Sequence, residues 1–202
     1  MFSLDLLNNG VSSSGLSSPS PSITITASPL ANLIPAEIAA LPEVEEVLAM
    51  QLSDEGLRTV VDQKVKRVYS ADLTSVPKYF NIGLSDVDES LIGNNAIYLH
   101  EDEAEKYGVD VGSTLEVEFV DQSQRSLSVA GIFTSKSIID SGWLLDSSVY
   151  TSNENLVPKS DDFVGVLVKE GVSEQNAREA INAVLEGYEQ IEAKTKAEFE
   201  DE

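Results

Sequence analysis

The chain has a single histidine, His100, and it precedes three acidic residues in the run His100-Glu-Asp-Glu103. An imidazole beside carboxylates can bind a metal ion or transfer protons. Either activity would need a second histidine or a nucleophile at a fixed spacing. The chain has no second histidine and no cysteine. We therefore interpret His100 as a surface residue at the start of a helix.

A second acidic run, Asp86-Val-Asp-Glu-Ser90, carries the oxygen ligands that calcium prefers. An EF-hand loop also needs a third ligand, a glycine at loop position six and a distant glutamate. The glycine is missing here, so we interpret the run as a solvated acidic turn. We expect no metal site and no cofactor in this chain.

Motifs for nucleotide binding and hydrolysis are also missing. The sequence contains neither Gly-x-Ser-x-Gly nor Gly-x-x-x-x-Gly-Lys-Ser/Thr. The segment Gly108-Val-Asp-Val-Gly112 follows a predicted helix and precedes a predicted strand, which is the reverse of the order in a phosphate-binding loop. These observations favour a domain that is not an enzyme.

The most apolar cluster outside the regular elements is Trp143-Leu144-Leu145. Two interpretations remain open for it. The three side chains either fill the core or form an exposed anchor for a partner or for neighbouring membrane helices, because tryptophan favours both environments.

Charge and composition exclude several classes of partner. The 202 residues include 13 Lys and Arg against 35 Asp and Glu, for a net charge of -22. Such a surface repels phosphate backbones and anionic lipid headgroups, so we expect no nucleic acid partner. No apolar run reaches the 18 residues of a membrane span, and the first ten residues do not form a secretory signal.

The predicted elements indicate the α+β class, with a mixed or antiparallel sheet and helices on one face. Residues 1–22 form a predicted flexible, Ser/Pro-rich leader, and residues 23–202 form the domain. Strand–helix–strand units at both ends predict a ferredoxin-like lobe of residues 23–72 with 160–202. Residues 73–159 then form a smaller, β-rich middle lobe.

Four local predictions support this organisation. Residues 57–61 and 64–69 predict a hairpin, with a single helix over residues 57–69 as the alternative. The apolar stripe of residues 173–186 predicts a helix with Ser173 as its N-cap and Gly187 just beyond its end. We also predict a hairpin that places Leu115, Val117 and Phe119 opposite Leu127, Val129 and Phe133, and a last strand or short helix within residues 191–199.

Three blocks of sequence together resemble one family. They are the helix-to-strand entry Ile38-Ala-Ala-Leu-Pro-Glu-Val-Glu-Glu-Val47, the middle signature of residues 94–115 with Leu127-Ser-Val-Ala-Gly-Ile-Phe133, and the closing element that starts at Val166-Leu-Val-Lys-Glu-Gly171. Their order and spacing are similar to those of the extracytoplasmic (MacB-like periplasmic core) domain of FtsX/MacB-like ABC transporter permeases. Ser113 departs from the family, which often has aspartate there.

The resemblance implies a non-catalytic domain held between transmembrane helices, on the outer side of the cell membrane. It further implies a second permease subunit, a cytoplasmic ABC ATPase that acts indirectly, and an extracytoplasmic protein or substrate. ATP hydrolysis would then be coupled to export or to mechanical signalling. The alternative is a secreted or surface-anchored acidic module that binds a cationic ligand or protein partner.

Overall fold

The computed structural model describes residues 22–31, 34–93, 95–136, 139–151, 160–186 and 192–195. The described residues form a mixed α+β fold in which all ten strands are connected by hydrogen bonding. This confirms the predicted class. The leader, Gly187 and most of residues 191–199 lie outside the described residues.

Both ends of the described chain contribute to one antiparallel sheet, which we call the end sheet. Its strands are β1 (Ile23–Ala31), β2 (Val44–Thr59), β9 (Ser160–Val168) and β10 (Glu192–Thr195). They lie in the order β10-β1-β9-β2. Helix α1 (Ile34–Ala39) joins β1 to β2, and α5 (Glu174–Leu185) joins β9 to β10. The ferredoxin-like name and the predicted lobe boundaries stay predictions.

Helices α1 and α5 cover one face of this sheet. Ile38 of α1 and Ile181 of α5 are buried with Ile23, Val164 and Val166 of the strands. Ser173 is the N-cap of α5, because its hydroxyl accepts a hydrogen bond from the Asn176 amide at 3.2 Å. The predicted helix and its cap are therefore confirmed, and burial of the apolar stripe stabilises the helix more than propensity alone does.

The middle of the chain forms a closed circuit of strands with the second half of β2. The new strands are β3 (Val65–Ala71), β4 (Leu84–Val87), β5 (Ala96–His100), β6 (Thr114–Phe119), β7 (Gln124–Phe133) and β8 (Trp143–Asp146). Pairing runs β2-β3-β8-β5-β7-β6 and returns to β2, while β4 pairs with β7 from outside. The pairs β3–β8 and β5–β7 are parallel. We call this circuit the barrel.

Short helices complete the middle of the chain. They are α2 (Val76–Tyr79), α3 (Glu101–Tyr107), α4 (Ser148–Thr151) and a 3-10 turn over Glu89–Leu91. Among the described segments, no helix is long and apolar enough to cross a membrane.

Strand β2 belongs to both sheets and spans 16 residues. Its first half pairs with β9 and its second half pairs with β3 and β6. The sequence predicted a strand at residues 57–61 that begins a hairpin, whereas in the structure the same strand starts at Val44. The pairing of β2 with β3 is irregular between Ser53 and Leu57. Such an irregularity bends a strand without ending it. The predicted hairpin of residues 57–69 is confirmed, and its helical alternative is wrong.

Three buried cores hold the fold together. One lies under α1 and α5, one is built by all six barrel strands, and one lies between the end sheet and the barrel. In the last of these, Gly165 makes room for Tyr79, since a Cβ atom there would lie 2.9 Å from the Tyr79 ring. The end sheet and the barrel are thus packed against each other.

The register of the β6–β7 hairpin differs from its prediction. Leu115 does lie opposite Leu127, but Val117 lies opposite Arg125. Val129 and Phe133 continue along β7 to pair with other parts of the chain. Leu115, Val117 and Phe119 of β6 are still buried in the barrel core with Leu127 and Val129 of β7, because they occupy alternate strand positions. Phe133 is buried in the core between the end sheet and the barrel.

Candidate functional site

His100 lies at the start of α3 as its N-cap, as predicted, but it is not a surface residue. Its side chain is buried, with only 5% of the residue exposed. Nδ1 accepts a hydrogen bond from the Asp102 amide at 3.1 Å, and Nε2 lies 3.1 Å from the Thr134 carbonyl. The ring also packs edge-on against Phe133. His100 was predicted as exposed because a polar run follows it, whereas it is the last residue of a buried strand.

Trp143, Leu144 and Leu145 lie on β8 and have no exposed area. Trp143 and Leu145 point into the barrel core, whereas Leu144 points into the core shared with the end sheet. The exposed-anchor interpretation does not fit side chains that are enclosed on both faces of a central strand. They fill the core, and partner contact by these residues stays a prediction that this fold does not favour.

The acidic run and the glycine turn both have local structural roles. Asp88 caps the 3-10 turn by accepting hydrogen bonds from the amide and the hydroxyl of Ser90. Gly108 ends α3 in the left-handed conformation, and Gly112 has a φ of 88°. Across the described ranges, no group of three or more His, Cys, Asp or Glu side chains could hold a metal ion.

A polar network connects α3 to the β2–β3 hairpin and to β8. Glu103 accepts hydrogen bonds from Lys66 at 3.1 Å and from the Trp143 indole at 2.9 Å. Lys106 lies 2.9 Å from a carboxylate oxygen of Asp62, and Tyr107 donates to the same oxygen at 2.9 Å. Each charged side chain in this network has a partner. The network therefore holds α3 against the hairpin and β8, and it is not a binding site that is open to a ligand.

Asp62 makes the hairpin sensitive to acid. The Thr59 hydroxyl donates to its carboxylate and, with Lys106, the Lys64 amide and Tyr107, holds the pKa of Asp62 well below its usual range. A carboxylate with a lowered folded-state pKa stabilises the fold above its unfolded pKa of about 3.9 and loses that contribution as the pH falls further.

Asp62→Asn is therefore expected to lower the free energy of unfolding by about 1 kcal/mol at neutral pH, with a smaller difference near pH 3. Urea unfolding of both proteins at the two pH values measures this. Glu105→Gln removes one carboxylate from an exposed position of α3 and is the control. An equal difference between Asp62→Asn and the parent at both pH values would contradict the assignment.

An exposed apolar surface lies on the outer face of the same hairpin and the neighbouring strand β6. Of the five large hydrophobic residues that are exposed in the described ranges, four are here: Val60, Val61, Val65 and Val120, with exposures of 42%, 77%, 46% and 62%. Two of them, Val65 and Val120, line a pocket of about 270 Å³ whose lining also includes Arg58, Glu118 and Phe119. We call Arg58, Val60, Val65, Glu118 and Val120 the valine patch.

The pairing of the strands fixes the arrangement of the valine patch. Arg58 lies opposite Val65 on one side and opposite Glu118 on the other. Leu57 and Thr59, its neighbours along the chain, are buried, so Arg58 and Val60 share the outward face. The described residues provide no ion pair for Arg58 or Glu118.

The valine patch was not predicted from the sequence. Valine at alternate strand positions is ordinary for a half-buried strand, and the outward face is known only once the register is known. One signal was present. Residues 58–67 hold four of the 13 basic residues and only one acidic residue, in a chain that is otherwise acidic.

The comparisons with known proteins establish the family. A family model described as the MacB-like periplasmic core domain matches residues 5–184. The chain belongs to this family, and the resemblance found in the sequence to the extracytoplasmic domain of FtsX/MacB-like ABC transporter permeases is confirmed. A search of curated proteins found no significant match.

Solved structures share the fold at low sequence identity. The periplasmic region of MacB from Actinobacillus actinomycetemcomitans has 13% identity and a TM-score of 0.65, over 91% of this chain and 92% of that chain. The extracellular domain of the noncanonic ABC-type transporter YknZ from Gram-positive bacteria has 13% identity and a TM-score of 0.56, over 86% and 99%. A domain of a putative permease from Porphyromonas gingivalis has 19% identity and a TM-score of 0.55, over 87% and 88%.

Proposed function

We propose that this domain transmits movement between the membrane part of an ABC transporter permease and the space outside the membrane. In this proposal a cytoplasmic ABC ATPase hydrolyses ATP, the transmembrane helices of the same permease change position, and the domain moves with them to drive export or mechanical signalling. The match to the family over residues 5–184 carries the proposal.

The described chain enters and leaves the domain at one place. Ile23 of β1 is paired with Thr195 of β10, so the two ends lie side by side. Two neighbouring connections suit a domain inserted between two transmembrane helices, because any movement of those helices would act on adjacent strands of one sheet. These two connections run through the backbone, so they need no contact with a partner protein.

Strand β2 connects the end sheet to the β2–β3 hairpin, and in this proposal movement passes along it. Ile23 and Val47 both pair with Val166, so they lie at the same level of the end sheet. From Val47 to Thr59 the strand extends for at most roughly 40 Å at about 3.3 Å per residue. Because β2 is the last strand of the end sheet, lies between β3 and β6 in the barrel and packs against the shared core, a rotation of the end sheet carries the hairpin with it.

Spin labels at the hairpin test this proposal. The chain has no cysteine, and Val61 is 77% exposed, so Val61→Cys accepts a label without disturbing the core. In the full-length dimeric permease with its ATPase, the label-to-label distance is expected to change when ATP is trapped. An ATPase variant that cannot bind ATP is the control. An unchanged distance distribution would refute coupling through this domain.

A further inference from the structure

We propose that the pocket beside the valine patch binds a free amino acid with an apolar side chain, in its zwitterionic form. The volume of the pocket is about 270 Å³. Drug-sized ligands occupy pockets of roughly 300–1,000 Å³, so this one suits a ligand about the size of a single amino acid. The inference does not rest on the proposed function, because binding is measured on this chain without a membrane or an ATPase.

The pocket has one cation and one anion in its lining, Arg58 and Glu118. They lie directly opposite each other on the antiparallel strands β2 and β6. Side chains in such a pair start about 5 Å apart, and opposite charges there usually attract each other. Among the described residues, however, neither side chain has an ion-pair partner. A zwitterion offers a carboxylate to the guanidinium and an ammonium group to the carboxylate at the same time.

Two further charged side chains lie on the same outward face, outside the lining of the pocket. Glu116 is exposed on β6, two residues before Glu118, and accepts a hydrogen bond from the Ser126 hydroxyl. Arg67 is exposed on β3 and pairs with Asp140 at 3.0 Å. With Glu116 counted, β6 carries two carboxylates near the pocket. The β6 side is therefore the side that an ammonium group would take.

The charges disfavour ligands of a single sign. The net charge of -22 repels ligands that carry only negative charge. A ligand with only positive charge is attracted to the chain as a whole, but in this pocket it would lie against the guanidinium of Arg58. A zwitterion has no net charge and uses both charged groups of the lining.

The rest of the lining is mostly apolar. It consists of Leu57, Val65, Phe119 and Val120, together with Gln122. Val65 and Val120 are 46% and 62% exposed. An aliphatic side chain that covers them removes their apolar surface and its own from water, which stabilises the complex. Leucine should therefore bind more tightly than glycine.

Amide NMR spectra of the isotope-labelled chain, titrated with L-leucine, test the site. The amide signals of Arg58, Val65, Glu118 and Val120 are expected to move, with a dissociation constant on the order of 1 mM for so small a ligand. L-leucinamide lacks the negative charge, 4-methylpentanoate lacks the ammonium group, and glycine lacks the side chain. At about pH 6.5, where the α-amino groups are charged, each is expected to bind about tenfold more weakly than L-leucine.

Charge-removing variants assign the two ends of the ligand. Arg58→Gln is expected to weaken L-leucine binding about tenfold and to leave L-leucinamide binding unchanged. Glu118→Gln is expected to weaken L-leucine binding by a similar factor and to leave 4-methylpentanoate binding unchanged. Glu116→Gln is the matched control, and its expected effect on L-leucine is less than about threefold. Amide signals remote from the pocket show that each variant keeps the fold.

Several results would overturn the proposal. They are equal affinity for L-leucine and all three analogues, amide changes confined to another face, or no change at roughly ten times the expected dissociation constant. A loss of affinity in Glu116→Gln as large as that in Glu118→Gln would also overturn it, because the ligand would then respond to the charge of the whole face and not to the pocket. A change in label distance with ATP is independent of all these outcomes, so this inference and the proposed function fail separately.

Discussion

Trp143→Ala is expected to lower the free energy of unfolding by about 3–5 kcal/mol, the usual cost of removing a buried tryptophan side chain. Trp143 is the largest side chain without exposed area. It packs edge-on against Tyr107 with ring centres 5.8 Å apart, and its indole donates to Glu103 at 2.9 Å. The variant therefore leaves a cavity in the barrel core and removes one donor to Glu103.

Urea unfolding followed by far-ultraviolet circular dichroism measures this loss. Trp143→Phe is the matched control, since it keeps most of the ring volume and removes only the indole donor. Its expected cost is about 1–3 kcal/mol, because Glu103 then keeps Lys66 but loses one hydrogen bond. If alanine cost no more than phenylalanine, Trp143 would not be filling the barrel core.

Ile181→Ala is expected to cost about 2–5 kcal/mol, because it opens a cavity between α5 and the end sheet. Ile181 has no exposed area and shares its core with Ile38, Val164 and Val166. Asn182→Ala is the matched control, since Asn182 is an exposed neighbour on the same helix and alanine is the better helix former. An Ile181→Ala protein as stable as Asn182→Ala would contradict the assigned core.

This variant also reports whether the end sheet and the barrel unfold together. The fluorescence of Trp143, the single tryptophan of the chain, monitors the barrel, while circular dichroism monitors the whole domain. Because β2 and the core around Tyr79 join the two parts, both midpoints are expected to fall by the same amount. A fall in the circular dichroism midpoint alone would mean that the two parts unfold separately.

The elements of the fold with local signals could be predicted from the sequence. Helix α5 follows from its apolar stripe and from Ser173 as a cap, and both are short-range features. The hairpin at residues 57–69 follows from β-branched residues on both sides of a polar turn. The family could be identified from the order of three sequence blocks. A match to all three depends on the spacing between distant blocks and not on any single motif.

The features that could not be predicted depend on long-range pairing. The continuity of β2 across Ser53–Gly56 is decided by β3, β6 and β9, which lie elsewhere in the sequence. The burial of His100 depends on Thr134 and Phe133, and no local pattern reveals either contact. The valine patch was missed for the same reason, since the face of a strand that is exposed follows from register.

The central claim is that this chain is an extracytoplasmic domain of a membrane permease, and labelling of Val61→Cys in the full-length protein tests it most directly. Intact cells are treated with a membrane-impermeant maleimide, and the labelled protein is then followed through alkaline extraction of the membranes. The parent protein without the new cysteine is the control. The expected result is labelling without permeabilisation and retention in the extracted membranes. Labelling only after permeabilisation, or release of the protein by extraction, would contradict the claim.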